Sequence, residues 1–343
     1  MLSRRITMKD VAASVGVHQT TVSLALRNHP SIPKATREKI HEAARLLGYK
    51  PDPMLSSLIA YRQHHQENKA PPTIGYIMDL EGDAQLRNSQ PRLLFLQSAK
   101  RRANELGYKI EPFYYSPGNY SSKSLDRILL TRNISGLIIA AFTHKTDLSL
   151  SWEYYSVIKI EMLPFNLRFD VVENNQMQAT RLAIEKAGEK GYRRVGMVTG
   201  EHDEAHTRNL FSAGYYVGQT IFPEADRIPL KVIPGKDLEQ DCAEIISWLK
   251  QYEVEVMVTN WIELIPKMDE IRRRSGRDVV LYPLDIDHFD ESQTGVLQNH
   301  EAVGRYAVDR VTGLMRTNQR GMVDYPTVHL IDSLWKEASL VPV

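Results

Sequence analysis

The chain predicts two pieces: a small all-α unit over residues 1–50, and a larger α/β domain of parallel sheets from residue 73 onward. The first ground is periodicity. The opening residues repeat apolar side chains at helical spacing, whereas from Thr73 short β-rich runs alternate with helical stretches. The second is charge. Residues 1–64 hold ten Lys and Arg against four Asp and Glu, while the remainder holds 33 against 38. A basic module on an acidic body suits a phosphate backbone, because each neutralised phosphate releases condensed counterions. A solvated basic face would read the same on charge alone.

Thr7 followed by Asp10 marks a helix start, the hydroxyl capping and the carboxylate reaching back; Val11, Ala12 and Val15 form its apolar face and Gly16 ends it. A second helix is expected over 19–26, burying Val22, Ala25 and Leu26. After a Pro-containing loop, Ile40, Ala43, Ala44 and Leu47 recur at i, i+3, i+4 and i+7 before Gly48. Three helices then share one small core. A small residue at Ala12, a turn glycine at Gly16 and a branched residue at Val22 give helix-turn-helix geometry. Pro51, Asp52 and Pro53 interrupt the chain, and Asp52 could cap a further short helix carrying Met54, Leu55, Leu58 and Ile59. Residues 51–72, ending in Ala70-Pro71-Pro72, serve as hinge and linker.

Strands are expected over 73–79, 108–115, 136–142, 156–161, 194–199, 230–233, 256–260, 279–284 and 327–332, with helices between them. Leu96, Ala99, Ala103 and Leu106 form one helical face; Val303, Ala307, Val311 and Leu314 form another. Two such sheets in succession, with a late return of the chain to both, suggest two similar lobes around a cleft. The lobes are drawn at about 73–170 plus 295–325 and about 171–294 plus 326–343.

Composition narrows the class. Hydrophobic residues at 42% and charged residues at 25% are globular values. No apolar run approaches the roughly 20 residues of a membrane span. The opening residues lack the apolar stretch of a secretory signal, so a cytoplasmic location is expected. Cys242, the single cysteine, excludes an internal disulfide framework and a cysteine-rich zinc site. No GxGxxG, GxxxxGK[ST] or GxSxG motif is present, so neither a cofactor nor an enzyme is expected. His202-Asp-Glu-Ala-His206 has the wrong order for a zinc helix and follows Gly200; it is read as a solvated loop.

The stretch from Ile6 through Leu26, with Thr36-Arg-Glu-Lys-Ile and Leu47-Gly-Tyr-Lys-Pro, resembles the headpiece of the lactose-repressor (LacI/GalR) family of bacterial transcription regulators. The resemblance implies that residues 19–26 enter the major groove, where amide and hydroxyl groups read base edges. By correspondence Gln19, Thr20 and Leu24 are the readers, and Thr21, Ser23, Arg27 and Thr36 lie closer to phosphates. Thr7 and His18 complete the expected contact set. Leu24 departs from the arginine common there and cannot make a bidentate contact to guanine. The resemblance also makes the segment after Pro51 a hinge helix that pairs with its dimer mate in the minor groove, with Leu58 as the intercalating wedge.

The likeness continues, more weakly, to the C-terminus, implying a two-lobed domain similar to periplasmic sugar-binding proteins. Arg193-Arg-Val-Gly-Met-Val-Thr-Gly, Val256-Met-Val-Thr-Asn and Leu281-Tyr-Pro-Leu-Asp carry it. Groups at strand C-termini face the cleft in such sheets, which makes Asp79, Phe142, Glu173, Asn260 and Asp285 effector-contact candidates. Phe211 and Trp261 could offer an apolar face to a sugar ring, and Arg208 a charge-assisted bond. Asn260 and Asp285 could equally cap helices, and Phe211 and Trp261 could be core. The family often has arginine in place of Phe211 and aspartate in place of Trp261.

The expected partners are a pseudo-palindromic duplex operator, a second copy of the chain and a small effector, a sugar or related metabolite. Release of the operator by an inducer is expected, with binding helped by a corepressor as the alternative. A free sugar-binding module, an enzyme on the same fold and a nucleoid protein using Leu58 as a general wedge are the rival classes.

Overall fold

The computed structural model describes residues 6–26, 31–49, 71–79, 89–116, 118–140, 142, 146–162, 166–286 and 292–338. Three helices open it: α1 (Met8–Val15), α2 (Gln19–Leu26) and α3 (Lys34–Leu46). Thr7 starts α1 as expected. Its backbone N–H donates to Asp10 Oδ2 at 2.8 Å while its hydroxyl accepts from Asp10 N. Gly16, at φ 73°, ends the helix in the left-handed region that costs glycine no steric penalty. Val11, Ala12, Val22, Ala25, Ile40 and Ala44 form the shared core. Leu26 is only half-buried and Leu47 is 37% exposed, so each contributes less than its periodicity suggested.

The larger domain follows as β1 (Thr73–Met78), α4 (Gln90–Glu105), β2 (Lys109–Tyr114), α5 (Ser122–Thr131), β3 (Gly136–Ile139), β4 (Ser156–Ile160), β5 (Asp170–Asn174), α6 (Gln176–Glu189), β6 (Val195–Gly200), α7 (Glu201–His206), α8 (Leu210–Gly218), β7 (Lys231–Ile233), α9 (Leu238–Gln251), β8 (Val256–Thr259), α10 (Met268–Ser275), β9 (Val280–Pro283), β10 (Gly295–Leu297), α11 (His300–Arg316), β11 (Val328–Ile331) and β12 (Leu334–Lys336). Six parallel strands, in the order β11-β5-β4-β3-β1-β2, build the first sheet; four, in the order β7-β6-β8-β9, build the second. The short strands β10 and β12 pair antiparallel beside the second sheet.

Each sheet is covered on both faces, as parallel sheets must be. Phe95, Leu96, Ala99 and Ala103 of α4 and Val303, Ala307 and Val311 of α11 bury one face of the first sheet. Leu125 and Leu129 of α5, with Trp152 and Phe169, cover the other. In the second lobe α6 and α8 lie on one face and α9 and α10 on the other. α4 and α11 pack at very close range, because an added Cβ at Gly304 would collide with the Phe95 carbonyl and Ser98 Oγ.

Strand membership corrects the expected lobe division. β5 and β11 belong to the first sheet, although boundaries at 170 and 326 assign both to the second lobe. Their place is fixed by Asp170, 5% exposed, which accepts from Arg310 Nη2 of α11 at 2.6 Å and from Thr327 N at 2.8 Å. Burial works against this carboxylate, but those donors outweigh it and hold its pKa below the usual value. β10, expected with the first lobe, pairs with β12 alongside the second.

The chain therefore passes between lobes after β5, before α11 and after β11, and amide side chains join these crossovers. Asn175 Nδ2 donates to Asp332 Oδ1 at 2.7 Å, Gln298 Nε2 to Gln176 Oε1 at 3.0 Å, and Ser333 N to Gln178 Oε1 at 2.9 Å.

Candidate functional site

Two sites emerge, one on the headpiece and one between the lobes. In the headpiece, packing of Val22 and Ala25 turns Gln19 and Thr20 outward: both are exposed, as are His18 and Thr7. Thr21, Ser23 and Leu24 are half-buried on α2, and Thr36 is half-buried on α3. His18 opens α2. Its Nδ1 accepts from Thr20 N at 3.3 Å and lies 3.0 Å from Thr20 Oγ1, while its carbonyl accepts from Val22 N at 3.2 Å. The ring thus positions the helix as well as facing outward, and Thr7 is engaged in its capping box. Exposed Lys9, Lys34 and Lys39 supply positive charge around α2. Arg27, Leu58 and the expected hinge helix lie outside the described residues.

Between the lobes is a cavity of about 230 Å³. It is smaller than the roughly 300–1,000 Å³ pockets that take drug-sized ligands, a size suited to a small metabolite. Phe142, Glu173, Phe211, Asn260 and Asp285 line it, and Asp79, Arg208 and Trp261 do not. Trp261 instead packs against the apolar cluster under α9 and α10, its backbone N–H donating to Thr259 Oγ1 at 3.0 Å. Arg208 is exposed in a left-handed turn at φ 54°, and neighbouring Thr207 and Leu210 reach the cavity in its place. Asn260, rather than capping a helix, leaves its buried Oδ1 without a hydrogen-bond partner beside the cavity.

Several lining residues were not foreseen: Arg92, Glu161, Gln176, His202, Asp203, His206, Gln298 and His300. Three come from the segment expected as a solvated loop, which is instead the helix α7 lying over the cavity at the end of β6. The rings of His202 and His206 stack there, centroids 4.1 Å apart. Glu161 follows β4 at φ 61°, a left-handed conformation uncommon for a non-glycine residue.

The site is electrostatically tense. Burial, reinforced by the nearby Glu161 charge, pushes the Glu173 carboxyl up to about 7. Burial, with Glu263 opposite, pushes Asp203 up to about 6. Glu161 is raised by burial too. His300 shows the opposite balance. Burial works to neutralise it, yet the Asp285 carboxylate, 3.0 Å from Nε2, holds its pKa above the usual histidine value. Its Nδ1 is 3.0 Å from Asn174 Nδ2, so one ring at the head of α11 touches both lobes. Among the described residues no cluster of three or more His, Cys, Asp and Glu could hold a metal ion. Nor is any described helix long and apolar enough to cross a membrane.

An outward-facing second helix on a three-helix unit and a two-lobed parallel α/β domain with a polar cleft define a helix-turn-helix protein with a two-lobed α/β body. Residues 7–52 match the family model "Bacterial regulatory proteins, lacI family". The ribose operon repressor of Escherichia coli strain K12 is 23% identical over 206 residues, 59% of this chain and 58% of the relative. The transcriptional repressor CytR of the same organism is 24% identical over 57% of this chain and 54% of its own length. The matched stretch thus spans little more than half of these curated relatives. Two solved structures share the fold across 97% of the chain: a regulator CelR in complex with cellobiose, at 16% identity and TM-score 0.55, and a lac repressor dimer bound to operator and an anti-inducer, at 17% identity and TM-score 0.54. They cover 99% and 98% of those chains, respectively.

Proposed function

We propose that this protein is a sequence-specific DNA-binding transcriptional regulator, acting as a repressor, whose operator affinity is set by a small molecule bound between its lobes. The observation that carries the reading is the pairing of two features in one chain: α2 presents Gln19 and Thr20 outward, and an inter-lobe cavity is lined by convergent polar groups. The relatives' names, ribose operon repressor and CytR, and the cellobiose bound to CelR support the repressor role and a carbohydrate-like effector. A two-fold dimer in the cytoplasm, reading a pseudo-palindrome, gives so short a helix sufficient specificity. Because effector and duplex would bias the same lobe arrangement, each must change the other's affinity by the same factor.

The test is duplex binding. A site selected from random sequence should bind at least about 10³-fold more tightly than random duplex, with an affinity that falls steeply as salt rises. A metabolite that stabilises the purified protein should shift that affinity. Equal affinity for all sequences would point to an architectural protein, and no salt-sensitive binding would overturn the reading.

A further inference from the structure

The polar groups of the cavity are unevenly matched. Glu161, Glu173, Asp203 and Asp285 all line it, facing Arg92 as the one fixed cation among the lining residues. Asp285 is satisfied by His300. The carboxylates of Glu161, Glu173 and Asp203 make no hydrogen bond or ion pair among the described residues, although Glu173 is only 7% exposed. Burying an unpaired carboxylate is costly, and folded proteins keep such groups where a ligand completes them. Two basic groups stand near Glu173 without lining the cavity or bonding it. Lys159 Nζ on β4 is committed to the Leu167 carbonyl at 2.7 Å, and Arg208 is exposed.

The apolar wall is a second, independent feature. Phe142, from the first lobe, and Phe211, from α8 of the second, both line the same space. Aromatic faces attract cations through the ring quadrupole, most strongly where water is excluded. Among the histidines, His202 and His206 are stacked on α7 and His300 is paired with Asp285; His300 and His206 act on Glu161 through space, and neither is hydrogen-bonded to Glu161 or Glu173.

We propose that the small molecule held in this cleft carries a protonated amine, received by Glu173 and Glu161 and flanked by the rings of Phe142 and Phe211. This rests on the cleft being the effector site and adds the chemical class. A neutral polyol would add no positive charge beside the carboxylates, whereas an ammonium group donates up to three hydrogen bonds and neutralises one of them.

The experiment uses the full-length protein and matched pairs: D-glucosamine with D-glucose, D-galactosamine with D-galactose, and putrescine with 1,4-butanediol. Binding is followed by calorimetry at neutral pH and physiological salt. At least one amine should bind ten-fold or more tightly than its neutral partner. That preference should vanish in Glu173→Gln, whose folding is checked by its melting transition; if the variant does not fold, the wild-type comparison decides alone. Less than a ten-fold preference for the amine in every pair, or no binding by any amine, overturns the inference. Such a result leaves the regulator reading standing, since that reading is decided by duplex binding: it fails if affinity is equal for all sequences or insensitive to salt.

Discussion

His300 Nε2 lies 3.0 Å from each carboxylate oxygen of Asp285, so one N–H at the head of α11 is shared by both oxygens of a side chain that follows β9. The contact couples lobe geometry to proton concentration. His300 is raised above its ordinary pKa of about 6.5 when folded, so its stabilisation is complete below that value and is lost as pH rises through the folded pKa. Melting temperatures taken from pH 6 to 9 should therefore fall, and His300→Gln should flatten the profile. The variant should cost about 1.5–3 kcal/mol at pH 6, as for other hydrogen bonds to charged groups. A profile of unchanged slope in the variant removes His300 from the account.

Glu173 predicts the reverse outcome for a neighbouring substitution. With its folded pKa raised to about 7 from 4.5, it destabilises the empty protein as pH climbs between those values. Glu173→Gln should accordingly melt higher than wild type at pH 8, by about 1–3 kcal/mol in stability, and lose that advantage near pH 4. Calorimetric unfolding at the two pH values checks it.

Leu24 sits half-buried on α2 between the exposed Gln19–Thr20 end and the headpiece core. Leu24→Arg supplies a bidentate donor for guanine O6 and N7, worth about 1–3 kcal/mol of discrimination between bases. Sites selected by the variant should gain a guanine at one position of each half-site. Identical selected sequences for variant and wild type would show that α2 does not enter the groove with this side chain toward the bases.

Gly304 tests the packing of α11 on α4. Alanine there meets the Phe95 carbonyl and Ser98 Oγ, so the helices must separate. Overpacking of this kind typically costs about 1–3 kcal/mol. Denaturant titration of Gly304→Ala should show a lowered midpoint, whereas alanine at Gly313, where the added Cβ has nothing within 4 Å, should be tolerated.

The headpiece was the most legible part of the chain because its signals are local. The Thr7–Asp10 pair, Gly16 and the apolar spacing act within a few residues, and α2 spans the stretch they indicate. β5 went unread because Asp-Val-Val-Glu-Asn carries a charge near either end. Arg310 and Thr327 accommodate Asp170, and both lie more than 100 residues away in sequence. Strand ends pointed to Phe142, Asn260 and Asp285, since parallel sheets gather such residues on one side, and Glu173 was named with them although no strand was expected around it. The same rule offered Asp79, which lies apart from the cavity. Arg92 and His300 come from the first turns of helices, and only the tertiary fold carries them to the strand ends. The helix α7 was hidden by its composition: five polar and charged residues and one alanine after a glycine look like a loop until they are seen lying across a cavity.

The three crossovers, laced by Asn175 to Asp332, Gln176 to Gln298 and Gln178 to Ser333, give the molecule a mechanical character. Sliding or twisting one half against the other would break several of these bonds together, whereas bending about the line they define strains each only slightly. Those bonds therefore define a hinge line. If a molecule sits in the cleft as proposed, it would act about that line, with the first lobe, nearer the headpiece in sequence, as the lever.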